Sequence, residues 1–285
     1  NFALTWIPFL RRRLFAPFKE SMEADAQIDA FKKQEYFSQT EVEDEVDNKR
    51  SLLVETLQNL KGQIILEGPS GLGKSMFLRR WVKNSKSIVV FLPAVQCGQG
   101  PMDAIRIRTK GVAQDEKYLK QLIHAGAIDI CIDGVNEVSA AVRESIISFM
   151  REMGGANIIV ATQRMEWNPP ATAKRFLIKP LKPDLIEDFL LSRYSFLEGN
   201  DFVSEEEYSK GVQNFLEKEL GKHQPKNLLE SSQTILSNPM DLTVVALMLA
   251  RNQNPDLFRL LEQQYKEMAN DYKETHGREF PLKTF

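Results

Sequence analysis

The sequence predicts an α/β fold in which a five-stranded parallel sheet is flanked by helices and followed by a small all-helical domain. Three observations lead to this prediction. Short runs of consecutive aliphatic or β-branched residues are typical of strands buried on both faces, helical patterns alternate with these runs, and no strand pattern remains beyond about residue 181. The candidate strands are Gln63–Glu67, Ser87–Leu92, Ile128–Ile132, Asn157–Ala161 and Arg175–Ile178.

The helices are predicted from apolar residues that recur at three- and four-residue spacing. Between two candidate strands, for example, Val142, Ile146 and Phe149 share one helical face. The predicted helices are 50–61, Ala141–Met153, Pro183–Leu197, Glu205–Leu220, Asn227–Leu236, Pro239–Arg251 and Pro255–Thr275.

The composition is that of an ordinary globular protein and gives no general case for nucleic-acid binding. Of the 285 residues, 42% are hydrophobic, which is enough for a core in each of about two domains. The 37 Lys and Arg are balanced by 39 Asp and Glu, whereas nucleic-acid binding usually needs a basic face. We interpret Cys97 and Cys131 as buried thiols in a reducing compartment, and no histidine pairs with either in a zinc-binding spacing.

The first residues combine an apolar stretch with a cluster of arginines. The stretch NFALTWIPFL is followed by Arg11, Arg12 and Arg13, and it is too short to span a bilayer, which needs about 20 apolar residues. We interpret the chain, which begins at Asn1, as part of a longer protein. Two interpretations stay open: the cytoplasmic end of a membrane helix followed by positive-inside arginines, or an amphipathic helix. The expected location is cytoplasmic, with a membrane anchor as one option.

A glycine-rich loop follows the first candidate strand and begins a helical pattern. Residues Gly68 to Ser75, GPSGLGKS, match G-x-x-x-x-G-K-[ST]. Glycines let successive backbone N–H groups converge on phosphate oxygens, and the helix N-terminus adds its positive dipole. Lys74 is expected to contact the β- and γ-phosphates, and the Ser75 hydroxyl is expected to bind Mg²⁺. The predicted nucleoside triphosphate site comprises Gly68, Pro69, Ser70, Gly71, Leu72, Gly73, Lys74, Ser75 and Met76.

A carboxylate at the end of another buried strand is expected to hold the magnesium ion through water. Asp133 follows the apolar run Ile128–Ile132, whereas Asp129 lies four residues earlier. Four strand residues span roughly 13 Å, so only one of the two can lie near the phosphates, and Asp133 is the better candidate. Glu137 follows four positions later as a candidate general base that polarises the attacking water. The alternative is an acid that interacts favourably with the dipole of the next helix.

Three polar residues, Thr162, Gln163 and Arg164, follow the candidate strand Asn157–Ala161. Arg164 is a candidate to sense the γ-phosphate, or the gap left after hydrolysis, because charge-assisted contacts to phosphate are strong and directional. The alternative is an arginine in a surface loop. Thr162 is a weaker candidate for the same role.

Together these motifs resemble the NACHT clade of STAND (signal transduction) P-loop NTPases, which have an ASCE/AAA+-like fold. The family's second motif is an apolar strand, Asp, a small residue, an apolar residue and two acids; CIDGVNE is similar, with Asn136 at the first acidic position. The family's sensor strand commonly ends in Thr-Ser-Arg, which Thr162-Gln163-Arg164 resembles. LSNPMDLTVVALML resembles the Asn-Pro-apolar motif, whose proline, here Pro239, approaches the nucleotide. The likeness extends over about residues 45 to 275.

The resemblance implies a molecular switch that uses ATP, ADP and Mg²⁺. In such proteins ADP locks the nucleotide domain against its neighbours, and exchange for ATP leads to opening and oligomerisation, so self-association or a partner protein is implied. Adenine rather than guanine is also implied by the family. Two alternatives stay open. One is an AAA-type remodelling or loader ATPase; the sequence has no obvious arginine-finger motif, which counts against it, but Arg106 and Arg108 stay open as candidates for that role. The other is a scaffold module that holds nucleotide with little turnover, which Asn136 favours.

Three segments are expected along the chain. Residues 38–47, SQTEVEDEVD, carry five carboxylates and no base, a composition typical of a solvated connector. The predicted segments are 1–45, an N-terminal helical or juxtamembrane-like segment with a linker; 46–181, the P-loop nucleotide-binding domain; and 182–285, a helical lid that ends before a winged-helix domain.

Overall fold

The computed structural model of the protein describes residues 7–29, 31, 36–58, 61–109, 115–196, 202–263, 265 and 269. The chain divides into two compact units between Lys179 and Pro180. The boundaries predicted from the sequence, at residues 45 and 181, stay predictions.

The first unit is built on one mixed, seven-stranded sheet. Its strands are β1 Glu41–Asp44, β2 Arg50–Leu52, β3 Gln63–Glu67, β4 Ile88–Pro93, β5 Ile128–Asp133, β6 Ile158–Thr162 and β7 Lys174–Ile178. Their spatial order is β2-β1-β7-β3-β6-β5-β4. The five strands from β7 to β4 are parallel, whereas β1 is antiparallel to both β7 and β2.

The five parallel strands lie where the sequence predicts them, to within one residue at each end, but the prediction of a purely parallel sheet is wrong. The acidic run, interpreted above as a connector, instead forms β1. Val42 is fully buried in this strand, and the adjacent Glu43 pairs with Lys179 at 2.8 Å and with Arg50 at 3.0 Å. Lys179 and Arg50 compensate the negative charge of Glu43, so an acidic sequence can form a strand here.

The predicted helix over 50–61 is also mostly wrong. Arg50–Leu52 forms β2, and only Leu53–Thr56 is helical. Leu53 and Leu57 are both buried, so the four-residue spacing reflects one real helical turn. The residues just before this helical turn, Arg50–Leu52, are extended because β2 pairs with β1.

Helices cover both faces of the sheet, and its core contains two apolar clusters. Ile130 and Ile132 of β5 belong to one cluster, and Cys131 between them belongs to the other, as alternation along a strand requires. The helices of this unit are α1 Pro8–Phe15, α2 Lys19–Glu23, α3 Leu53–Thr56, α4 Lys74–Asn84, α5 Pro101–Thr109, α6 Glu116–His124 and α7 Ala140–Glu152.

The two cysteines are buried and free, in agreement with the sequence-based interpretation of buried thiols. Burial raises the pKa of the Cys97 thiol to about 11 and raises the pKa of Cys131 well above its ordinary value. Neither thiol is therefore a reactive thiolate near neutral pH.

The N-terminal helices pack on the sheet. Phe15 at the end of α1 and Met22 in α2 are each 1% exposed and belong to the same apolar cluster as Val90 of β4. Asp25, just after α2, pairs with Arg108 of α5. Within the described part of the chain, no helix has the length and apolar character needed to cross a membrane.

The second unit contains only helices among its described residues, in agreement with the predicted all-helical region. They are α8 Ile186–Arg193, α9 Glu205–Leu220, α10 Lys226–Leu236 and α11 Pro239–Ala250. The α9 helix begins with a capping box between Ser204 and Glu207, which satisfies backbone donors at its N-terminus. Of the helix predicted over Pro255–Thr275, the structure describes residues 255–263, 265 and 269: Leu257–Arg259 forms a 3₁₀ turn, residues 260–263, 265 and 269 are helical, and the rest lies outside the described residues.

Candidate functional site

The candidate site of the first unit lies at the carboxyl edge of the parallel strands. The chain leaves β3 into the loop 68–73, leaves β5 into the turn 134–137 and leaves β6 at Thr162. Strand β6 lies between the other two, and all three are parallel, so these segments emerge along one edge. In open α/β sheets this edge is where ligands bind.

The loop between β3 and α4 has a glycine where the backbone requires one. Gly73 precedes the helix with a φ of 88°, a conformation that residues with a Cβ seldom adopt. At the other end of the loop, the Gly68 N–H donates to the Thr162 carbonyl at 3.3 Å. The loop is therefore tied to β6 at its start and turns sharply at its end, so that the first backbone N–H groups of α4 are directed toward the edge of the sheet.

Lys74, the first residue of α4, extends back over this loop. Its ammonium group donates to the carbonyl oxygens of Gly68 at 2.7 Å and Pro69 at 2.6 Å. Partial burial lowers the pKa of Lys74, and the nearby carboxylates of Asp133 and Glu137 oppose this effect. A cation thus lies between the glycine-rich loop and two acids.

Ser75 and Asp133 come together from α4 and the end of β5. Burial raises the pKa of Asp133, while a hydrogen bond from Ser75 lowers it; Glu137 raises it further, and the positive charges of Lys74 and Arg79 lower it. Arg79 lies one helical turn after Ser75 and therefore shares its face of the helix. Arg79 was not predicted as a site residue, although its spacing from Ser75 provides a signal.

Asp129, the competing aspartate, lies near the start of β5 and is 3% exposed. Its carboxylate accepts a hydrogen bond from the Asn157 side chain at 2.9 Å. Asn157 in turn accepts one from the Gly62 N–H, just before β3. Asp129 therefore joins the amino ends of the strands, away from the loop.

Glu137 ends a short 3₁₀ turn, Val135–Glu137, that follows β5. Gly134 begins the turn with a φ of 80°, and a Cβ on Gly134 would lie 3.1 Å from Glu137 Oε2. The exposed Glu137 carboxylate is therefore folded back over Gly134, close enough to influence the pKa values of Asp133 and Lys74.

The three polar residues after β6 have different environments. Thr162 is fully buried, and its hydroxyl donates to the Gln163 carbonyl at 3.0 Å. Gln163 and Arg164 are exposed, and Arg164 makes no hydrogen bond or ion pair with any residue that the structure describes. Arg164 thus has a guanidinium available for a ligand, whereas the Thr162 hydroxyl is used internally.

Pro239 belongs to the second unit, where it is the first residue of α11. The preceding Asn238 caps the helix by accepting from the Met240 N–H at 3.0 Å. Proline is favoured at the first helical position because its missing N–H would have no intrahelical partner there. A contact between Pro239 and a nucleotide stays a prediction.

The two candidate arginine fingers are engaged within the first unit. Arg106 pairs with Asp103 on the same helix at 2.6 Å. Arg108 pairs with Asp25 and donates to the Gln96 side chain at 2.5 Å. These pairs give both guanidinium groups local structural partners.

A buried ion pair below the glycine-rich loop was missed by sequence reasoning. Glu67, the last residue of β3, is 3% exposed. Its carboxylate accepts from Arg175 of β7 at 2.9 and 3.1 Å and from the Trp167 indole N–H at 3.1 Å. The only signal in the sequence is an acid at the end of an otherwise apolar strand. These contacts attach the segment after Arg164 to the strand that carries the loop.

Arg175→Ala is expected to lower the free energy of unfolding by about 2 to 3 kcal/mol, because it leaves the Glu67 carboxylate buried with only one donor. Chemical denaturation of the purified protein measures this effect. Arg50→Ala is the matched control, since the Arg50 side chain is 56% exposed and an ion pair made by an exposed arginine contributes at most about 1 kcal/mol. Equal losses for the two variants would contradict a buried role for the Glu67 pair.

The oxygen donors at this edge fit a magnesium ion. Mg²⁺ keeps several waters and usually takes one or two protein oxygens together with substrate phosphates, and the Ser75 hydroxyl and Asp133 carboxylate supply such oxygens side by side. Among the residues described, no group of three His, Cys, Asp or Glu side chains could hold a metal ion unaided.

Comparisons with known proteins give little beyond this geometry. No protein-family model matches the chain, and no curated protein does. Among solved structures, the chain is similar to one described as "Structural Basis for Katanin Self-Assembly", with 16% sequence identity and a TM-score of 0.38. The alignment covers 74% of this chain and 81% of the other.

Proposed function

We propose that this protein is a Mg²⁺-dependent ATPase that hydrolyses ATP slowly and uses its nucleotide state as a signalling switch. The observation that carries the proposal is the convergence of Lys74 at the start of α4 with Asp133 and Glu137 from the end of β5. One cation and two acids beside a glycine-rich loop form the donor and acceptor set that nucleotide hydrolysis requires.

The loop and the first turn of α4 bind the phosphate chain. Backbone N–H groups at a helix N-terminus and the helix dipole both favour an anion there. Lys74 exchanges its contacts with the Gly68 and Pro69 carbonyls for charge-assisted contacts with the β- and γ-phosphates. Residues Gly68 to Met76 surround the phosphate groups.

Ser75 and Asp133 would hold the magnesium ion, with the Ser75 hydroxyl and the Asp133 carboxylate as the protein oxygens. When bound, the ion supplies positive charge that neutralises the phosphates. Asp133 contributes a carboxyl group whose pKa is raised by burial and lowered by the Ser75 hydrogen bond and by the positive charges of Lys74 and Arg79.

Glu137 orients the attacking water and accepts one of its protons. The water oxygen forms a bond to the γ-phosphorus, and the bond between that phosphorus and the β–γ bridging oxygen breaks, giving ADP and inorganic phosphate. Phosphoryl transfer depends mainly on positioning and on electrostatic stabilisation. The exposed Arg164 contributes by pairing with the γ-phosphate, so the same residue distinguishes ATP from ADP.

The switch function follows from the resemblance to NACHT-type STAND proteins. In this proposal the second unit, through Pro239, has different affinities for the ATP and ADP states of the first, since a ligand shifts a conformational equilibrium only by such a difference. The output is self-association or binding of a partner protein.

Identification of the nucleotide released by denaturing the purified protein tests the proposal. We expect ADP or ATP by anion-exchange chromatography, and loss of this nucleotide after magnesium is removed with EDTA. Released GDP would contradict the assignment of adenine. Protein that carries no nucleotide and also fails to bind added Mg·ATP would contradict the proposal as a whole.

A further inference from the structure

The hydrogen-bond ladder between β5 and β6 reaches beyond the ends of the two strands. Ile130 N–H donates to the Asn157 carbonyl at 2.9 Å, and Gly134 N–H donates to the Ala161 carbonyl at 3.1 Å. In a parallel ladder the donors alternate between the strands at regular spacing. The next donor toward β5 is therefore the Gln163 N–H, and its regular acceptor would be the Gly134 carbonyl.

That acceptor is already used. With its φ of 80°, Gly134 turns the chain, and its carbonyl accepts from the Glu137 N–H at 2.9 Å. This bond closes the short turn that brings the Glu137 carboxylate back over Gly134. The Gln163 N–H donates instead to the Asn136 side-chain oxygen, at 3.0 Å. The carboxamide of Asn136 thus replaces the backbone acceptor that the turn removes.

We infer that Asn136 is a positioning residue, whose side-chain oxygen fixes the turn carrying Glu137 to the end of β6 that carries Arg164. The inference rests on the proposed function, in which Glu137 orients the water and Arg164 pairs with the γ-phosphate. On the other side of β6, the Gly68 N–H donates to the Thr162 carbonyl. Residues 162 and 163 therefore connect the phosphate-binding loop with the Glu137 turn through backbone atoms, and Asn136 completes this connection.

The chemistry of asparagine explains why an acid can be absent at this position. An amide oxygen and a carboxylate oxygen both accept a hydrogen bond from a backbone N–H, so Asn136 preserves the acceptor. It does so without adding a third negative charge beside Asp133 and Glu137. The departure from the acidic pattern therefore leaves the connection intact, and it does not by itself indicate a nucleotide-locked scaffold.

Asn136→Ala and Asn136→Asp, with Gln121→Ala on the exposed face of α6 as control, test this inference. Asn136→Ala removes the acceptor, and a misplacement of about 1 Å in a catalytic group can reduce a rate by about 100-fold. We expect kcat for ATP hydrolysis to fall by roughly 10- to 100-fold with KM within about 3-fold of wild type. Asn136→Asp keeps the acceptor, so we expect it to retain most of the activity that Asn136→Ala loses.

Amide hydrogen exchange at Gln163, measured by NMR without nucleotide, provides a readout that does not depend on hydrolysis. We expect faster exchange in Asn136→Ala, with protection retained in Asn136→Asp and in Gln121→Ala. Unchanged exchange in Asn136→Ala would overturn the inference, and so would faster exchange with an unchanged kcat. If the wild-type protein hydrolyses no ATP, the proposed function fails and the positioning role fails with it, while the exchange data still show whether Asn136 holds Gln163.

Discussion

Lys74→Ala is expected to weaken Mg·ATP binding by at least about 100-fold. Contacts between a charged donor and its partner contribute about 1.5 to 3 kcal/mol each, and Lys74 is expected to contact two phosphates. Loss of about 3 kcal/mol corresponds to roughly a 100-fold loss of affinity. Equilibrium binding of a fluorescent ATP analogue measures the change, and nucleotide should no longer co-purify with the variant.

Two controls make this result specific. Lys117→Ala removes an exposed lysine at the start of α6 and should bind as the wild type does. Because Lys74 also donates to the Gly68 and Pro69 carbonyls, thermal unfolding of Lys74→Ala without nucleotide should be compared with wild type. A folded Lys74→Ala protein with wild-type affinity would refute the assignment of the loop.

Glu137→Gln is expected to reduce kcat by about 100- to 10,000-fold, the usual contribution of a general base, while the affinity for Mg·ATP stays within a few-fold of wild type. Glutamine has almost the same shape as glutamate but cannot accept the proton from water. Phosphate release under saturating ATP measures the rate, and the binding assay used for Lys74 measures affinity.

Glu144→Gln is the matched control for this substitution. Glu144 is an exposed acid on the neighbouring helix α7 that pairs with Arg151 at 3.3 Å, and its replacement should leave the rate unchanged. Equal hydrolysis by wild type and Glu137→Gln would show that Glu137 is not the base. Binding without measurable hydrolysis by the wild type would favour a scaffold that holds nucleotide.

The parallel part of the sheet could be predicted because each strand is buried on both faces. Every residue of the strand Gln63–Glu67 is buried, and the three residues between its polar ends are all aliphatic, which leaves a clear pattern in the sequence. Because the middle of each strand is apolar, polar residues such as Asp133 and Thr162 stand at the strand ends. A ligand can reach Asp133 there. The glycine-rich loop could also be predicted, because its glycines recur at fixed positions where the backbone needs them, as at Gly73 with its positive φ.

The antiparallel strands β1 and β2 could not be predicted, because tertiary contacts overcome their local sequence. Only Val42 is buried in β1, and the acids around it depend on Lys179 and Arg50, which are distant in sequence or belong to the next strand. The role of Asn136 was hidden for a similar reason. Its partner is a backbone N–H 27 positions away, and no residue pattern in the sequence records such a contact.

The start of α11 at Pro239 could be predicted from the sequence. The sequence motif and the helix cap of Asn238 agree that α11 begins there. A signal for the start of a helix does not encode a contact with a nucleotide, so that contact stays a prediction.

Calorimetric titration of the wild-type protein with ATP, ADP, AMP and adenosine, each with Mg²⁺, tests the central claim that residues 68–75 bind a nucleotide by its phosphate chain. We expect ATP and ADP to bind, and AMP and adenosine to bind at least about 100-fold more weakly, since they lack the phosphates that Lys74 and the α4 N-terminus contact. Equal affinity for ADP and adenosine, or binding of neither ATP nor ADP, would contradict it.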